Sequence, residues 1–364
     1  MKRLLSKIDY YKIILAFLLS RLFFLIIIKI VNTDFETVCS LFDAEHYRYI
    51  ADTGYTEPMT AFFPIVPILI RIFGDTGIII INNTAFLISM FILYELLDEK
   101  QVFPLYVYTF SPISFYSMIE YTEALFMFFT ILSFYLFVKR RFGIIFGIVL
   151  GLCSATRSVG SMLFFAIFIG MIILWYKKEI KIVDIFKTYI PATIISCLYP
   201  LYLQINFGNW KLFVDVQYDY WIRIDTNMFN TFEEQLDIIF NNNHYINCTN
   251  ATVCMYRLNE EITIAIGFVF IILLIVTIRN KCYDENFIVT IVYAVASILC
   301  FNTTIRDPYI DAPTTSFFRY YMSIFPIYLS IGILPKIFQL IIMFWMICLS
   351  SITTLLFVTG VYFY

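Results

Sequence analysis

Residues 41–67 read LFDAEHYRYIADTGYTEPMTAFFPIVP and follow the first long apolar run of the chain. Three acidic residues fall within ten positions (Asp43, Glu45, Asp52), beside one of only two histidines (His46), an arginine (Arg48) and a Pro-x-x-Pro exit (Pro64, Pro67). A short helix over 42–50 puts Asp43 and His46 at i and i+3, with Tyr47 at i+4, on one face. A carboxylate so placed takes a proton from an incoming hydroxyl while its neighbours orient that hydroxyl. The plainer account of Asp43 is a solvated or capping residue in a loop, and of His46 a structural histidine. Asp43, Glu45 and His46 also read as mixed metal ligands, a weak case for one lone cluster.

Further charges sit at the ends of apolar runs, where charge near hydrocarbon is expensive and usually marks a site. Glu123, in YTEALF, heads such a run; an acid there also simply favours a helix N-terminus. Arg157 in TRSVG and Arg319 in SFFRYYMSIFP suit a phosphate, through paired hydrogen bonds from a planar guanidinium. Each also reads as an arginine that closes a turn or snorkels. Arg71 and His46 stand behind them as further donors. Arg21 lies inside the first apolar run, and burial there calls for a partner such as Asp34 or Glu95.

The elements that must hold these residues are membrane helices. The chain has 364 residues, 61% of them hydrophobic and 14% charged, with a mean hydropathy of +0.82. A soluble domain carries roughly 25% charged residues. A helix needs about 20 apolar residues to cross a core about 30 Å thick. Candidate spans fall at 11–31, 77–97, 102–118, 121–138, 142–156, 159–176, 182–204, 262–278, 286–302, 318–334 and 337–358. The expected fold is therefore an all-α polytopic membrane protein of about 11 spans, in a single domain over 1–364. With the N-terminus in the cytosol, the basic clusters at 2–12, 139–141, 177–181, 279–281 and Lys336 all fall on the cytosolic side, as the positive-inside bias asks. The start reads as an uncleaved first helix, because its apolar run continues past Arg21 to Val31 without a small-x-small cleavage site.

The opposite face then receives 32–76, the first lumenal loop with its interfacial segment 61–73, and the large loop 205–261. That large loop holds two sequons, at Asn247 and Asn250. Cys248 and Cys254 share it and could pair in an oxidising compartment, with Cys39 a third candidate. The net charge of −2 suggests no nucleic-acid partner. The sequence carries no P-loop, dinucleotide fingerprint or HExxH.

The motifs resemble the PIG-V family, GPI mannosyltransferase 2, of the GT-C glycosyltransferase superfamily. The family's W-D-A-x-H-F, I-A-x-x-G-Y and A-F-F-P-x-x-P read here as Phe42–Tyr47, Ile50–Tyr55 and Ala61–Pro67. Weaker matches follow in the family's order: Ser111-Pro112 and Tyr121-Thr122-Glu123, then Thr156-Arg157-Ser158, then Arg319-Tyr320 and Phe325-Pro326. Phe42 stands where the family has Trp, and the interval after Gly54-Tyr55 is one residue short, so no role carries over to Glu57.

The resemblance implies a GT-C bundle in the endoplasmic-reticulum membrane, with lumenal loops forming the active site. It implies transfer of the second mannose, by an α-1,6 link, from dolichyl-phosphate mannose to a GPI precursor. Asp43 matches the catalytic aspartate of the first lumenal loop. The donor is a substrate, no cofactor or metal is required, and a small accessory membrane subunit is a candidate partner. The alternatives are another transferase using a dolichyl-phosphate sugar, a transporter with a lumenal gate, and a scaffold in which Asp43 is dispensable.

Overall fold

Long apolar stretches without two-residue alternation form helices. The computed structural model describes residues 2–97, 101–240, 250–280, 284–307, 314 and 316–360, and these are helical through most of their length. The chain opens with α1 (Lys2–Ile30), a short α2 (Phe35–Cys39) and α3 (Asp43–Thr53). Asp34 caps α2 by accepting the Thr37 N–H at 2.8 Å. Gly54, at φ 89°, ends α3 in a backbone region that only glycine enters at low cost. A 3₁₀ turn (Pro58–Ala61) leads into α4 (Ile65–Leu96), which kinks at Gly74. The segment expected at the interface is thus the first limb of a long kinked helix.

Two short helices follow, α5 (Phe103–Thr109) and α6 (Pro112–Tyr116), then α7 (Glu123–Val138), α8 (Ile144–Thr156), α9 (Gly160–Tyr176) and α10 (Ile182–Phe207). The stretch expected to be an aqueous loop over 205–261 is largely structured. It contains α11 (Leu212–Asp219), β1 (Arg223–Asp225), α12 (Met228–Phe240) and the first turns of α13 (Asn250–Asn280). The chain ends with α14 (Glu285–Phe301), β2 (Thr304–Arg306), α15 (Phe317–Met322), α16 (Pro326–Ile331) and α17 (Lys336–Val358). β1 and β2 pair antiparallel, with Arg223 opposite Arg306.

Among the described residues, five helices are long and apolar enough to cross a membrane: Ile8–Ile30, Ile65–Leu96, Ile182–Phe207, Tyr256–Arg279 and Lys336–Val358. The protein is a helical membrane protein. The other six expected spans are not helices of that length. Four are shorter apolar helices, α7, α8, α9 and α14. The remaining two, 102–118 and 318–334, are broken into the pairs α5–α6 and α15–α16. Pro112 and Pro326 start the second member of each pair; proline lacks the N–H that a continuing helix needs, and its fixed φ suits a helix start.

The broken helices lie inside. Tyr108, Tyr116, Tyr121, Phe317 and Tyr328 are fully buried, while outer helices expose Leu15, Ile30, Ile205 and Phe344. Interrupted backbone is tolerated at membrane depth where protein covers it. α8 and α10 approach closely because Gly147 and Gly151 have no side chains: a Cβ on Gly151 would meet the Ala192 carbonyl at 2.8 Å.

At the far end of α7, Arg140 pairs with Glu285, which also accepts from Lys177 Nζ at 2.9 Å. This brings the basic clusters at 139–141 and 177–181 to one end of the bundle. Arg21, expected to need a carboxylate, is instead satisfied by neutral groups. It donates to Asn83 Oδ1 (2.9 Å), Ser114 Oγ (2.8 Å) and Ser117 Oγ (2.7 Å), between the Phe17 and Phe86 rings. Cys39 is a buried free thiol in this structure, and burial pushes it up to about 12. Asn247 and Cys248 lie outside the described residues, as do the side chains of Asn250 and Cys254.

Candidate functional site

Asp43 is the first residue of α3, and the residue before it sets its direction. Phe42 has φ 64°, ψ −119°, a conformation that costs a non-glycine residue about 1–3 kcal/mol. The Tyr121 hydroxyl spans this strained residue. It accepts the Asp43 N–H at 3.2 Å and donates to the Leu41 carbonyl at 3.3 Å. The turn is thereby fixed from outside the helix, by a residue just ahead of α7.

Four charges then run in alternating sign. Arg319 Nη2, on α15, donates to Asp43 Oδ2 at 2.9 Å. Arg319 Nε lies 3.2 Å from Glu123 Oε1, at the start of α7. The same Glu123 oxygen accepts from Arg157 Nη1 at 2.6 Å, at the C-terminal end of α8. Glu123 is fully buried and Arg319 is 4% exposed, whereas the Asp43 side chain is 24% exposed. Arg319 also lies over the Tyr116, Tyr121 and Tyr320 rings, and Arg157 over Tyr320 at 5.0 Å. Among the described residues, Arg319 Nη1 and Glu123 Oε2 have no hydrogen-bond partner.

Asp43, Arg157 and Arg319 line a cavity of about 590 Å³, a size that holds a small-molecule ligand. Glu45 and His46 line it too. Glu45 is exposed, and the His46 ring lies 4.9 Å from Phe62 and 5.4 Å from Trp221. Glu123 sits behind the wall and reaches the cavity through the two arginines. Arg71 is exposed on the first limb of α4 and is not part of the lining, so the donor role expected of it falls away. Among the described residues no three His, Cys, Asp or Glu side chains converge as a metal ion requires.

The apolar part of the wall comes from the segment after α3. The Tyr55 hydroxyl donates to the Phe62 carbonyl at 2.9 Å, Tyr199 to the Thr60 carbonyl at 2.7 Å, and the Trp221 indole to the Pro58 carbonyl at 3.1 Å. These bonds hold Phe62 and Phe63 in the lining. Arg48 belongs to a separate cluster. Its guanidinium donates to both Glu120 oxygens, at 2.5 and 2.6 Å, with Asp75 3.5 Å away. Burial raises the Glu120 carboxyl against the lowering effect of Arg48.

The cavity also contains Trp221 and Arg223, which sequence reasoning missed, together with Tyr320 of the Arg319-Tyr320 match and Arg306. Arg223 and Arg306 come from two three-residue strands, too short to leave an alternation in the sequence. The one usable signal was Arg306 standing just after an apolar run.

Comparison with known proteins found no matching family model, no matching curated protein and no matching solved structure.

Proposed function

We propose that the chain is a glycosyltransferase of the PIG-V kind, moving mannose from dolichyl-phosphate mannose to a hydroxyl of a GPI precursor. The observation that carries the reading is a half-exposed Asp43 in a cavity lined by arginines, at the end of a bundle of membrane helices. The sequence resemblance adds the substrates, the α-1,6 link to the second mannose, and the endoplasmic-reticulum location with a lumenal site.

A β-linked donor gives an α-linked product, so one displacement inverts the anomeric carbon. The acceptor's 6-oxygen forms its bond to C1 as the C1–O bond to phosphate breaks, with that electron pair leaving on the phosphate. The acceptor's proton goes to Asp43. Its Oδ1 is unbonded among the described residues, while Oδ2 is held by Arg319. Charge growing on the leaving phosphate is met by fixed cations, and losing one such donor costs about 3 kcal/mol of transition-state stabilisation. The exposed apolar helix faces suit the dolichyl chain.

The test is expression of wild type and Asp43→Asn in cells lacking GPI mannosyltransferase 2, at equal membrane levels, with surface GPI-anchored protein as the readout. Wild type restores it. Asp43→Asn lowers transfer by about 10²–10⁴-fold, the range for a general base. Full rescue by Asp43→Asn removes it as the base. If wild type fails too, profiling of lipid-linked precursors identifies which dolichyl-phosphate-sugar reaction, if any, it carries out.

A further inference from the structure

The four arginines of the cavity are not equivalent. Arg319 is bonded to Asp43 and lies against Glu123; Arg157 is bonded to Glu123. Their charge is largely answered by carboxylates before any substrate arrives. Arg223 is different. It is half-buried in the lining, and among the described residues no carboxylate or other acceptor bonds it. The nearest acid along its strand, Asp225, accepts instead from the Tyr218 hydroxyl at 2.7 Å.

The ribbon makes this placement costly. Arg223 stands directly opposite Arg306 across the antiparallel pair, and like charges so placed repel. Arg306 has a further contact of its own, so the argument rests on Arg223. Arg157 and Arg319 lie over the Tyr320 ring, at 5.0 and 5.7 Å, and Arg223, Arg157, Arg319 and the opposing Asp43 all act on its hydroxyl. Arg223, with no carboxylate bonded to it among the described residues, is the charge that a ligand's anion would answer.

We propose that Arg223, on the two-stranded ribbon in the cavity lining, is the seat for a phosphate group carried by a lipid-linked substrate. The proposal rests on the transferase reading for the lipid; the anion itself is argued from the charges. A guanidinium fork matches phosphate geometry. The lining of the same cavity includes the apolar Phe213, Val214 and Phe301, which suit a phosphate joined to a hydrocarbon chain. Arg157 and Arg319 then supply field rather than the primary contact.

The experiment follows thermal stabilisation of the purified full chain in detergent by farnesyl phosphate, inorganic phosphate and farnesol. It compares wild type, Arg223→Gln, Arg223→Lys and Arg71→Gln. Farnesyl phosphate is expected to stabilise wild type and Arg71→Gln alike, with farnesol inert. Arg223→Gln should bind about tenfold to hundredfold more weakly, as loss of a hydrogen bond to a charged group implies. Arg223→Lys should fall between, keeping the charge and losing the fork; it carries the test if Arg223→Gln does not fold. Equal binding by wild type and the Arg223 variants overturns the seat and leaves the transferase reading standing. Stabilisation by inorganic phosphate as strong as by farnesyl phosphate overturns the lipid part. No stabilisation of wild type by either phosphate overturns the seat; the transferase reading is decided separately, by the rescue with wild type and Asp43→Asn.

Discussion

Glu123 holds two guanidiniums with one oxygen. Arg157 and Arg319 both meet its Oε1, and among the described residues the one further carboxylate either reaches is Asp43, bonded to Arg319. Removing one member of a buried charge network strands the others, at about 3–5 kcal/mol. Glu123→Gln keeps the shape and removes the charge. It is expected to lower the unfolding midpoint in detergent and to raise the donor's KM, because Arg157 and Arg319 lose their anchor. Unchanged stability would show that the arginines find other partners. Asp43, Glu123, Arg157 and Arg319 were legible in the sequence because charge beside long apolar runs is rare. Their pairing was not, since Arg319 and Asp43 stand 276 positions apart and the resemblance fixes their order rather than their contacts. Arg223 was illegible for the opposite reason. It stands among other charges, Asp219 and Asp225, where one more arginine gives no contrast.

At the scale of elements, the site depends on helices that bring their ends to one place. α7 leaves the cavity with Glu123, α8 returns to it with Arg157, and α10 packs on α8. That last contact needs glycine. Gly151→Ala puts a methyl against the Ala192 carbonyl and the Ile195 side chain, both at 2.8 Å. Forcing a methylene-sized group into a packed contact costs about 1–3 kcal/mol. Gly267→Ala on α13 meets nothing within 4 Å and should be neutral, or stabilising by up to about 1 kcal/mol. Thermal unfolding of the two variants in one detergent separates local packing from general helix propensity. The helices themselves follow from apolar content, which is why their positions were readable. Their interruption at Pro112 and Pro326 was visible only as proline. Hydropathy averages over the break, and the two broken stretches were read as continuous spans.

At the scale of the molecule, charge is sorted by end. Arg140, Lys177 and Glu285 gather at one end of the bundle, and the cavity with Asp43 lies where α7 starts and α8 stops. On the positive-inside bias the first end would face the cytosol, and the proposed transferase, with its lumenal donor, requires the second end across the membrane from it. The sorting predicts opposite labelling of two exposed residues, Lys178 near the first end and Asp52 on α3. In a cysteine-depleted background, Lys178→Cys should react with a membrane-impermeant maleimide once the plasma membrane alone is opened. Asp52→Cys should react only when the internal membrane is opened as well. Neither position lines the cavity, so a bound substrate does not mask the readout. Labelling of both under the first condition would put Asp43 on the cytosolic side, where a lumenal donor cannot reach it. The transferase reading would then fail on geometry alone, while the alternating charges around Glu123, which answer one another, would stand as a structural network.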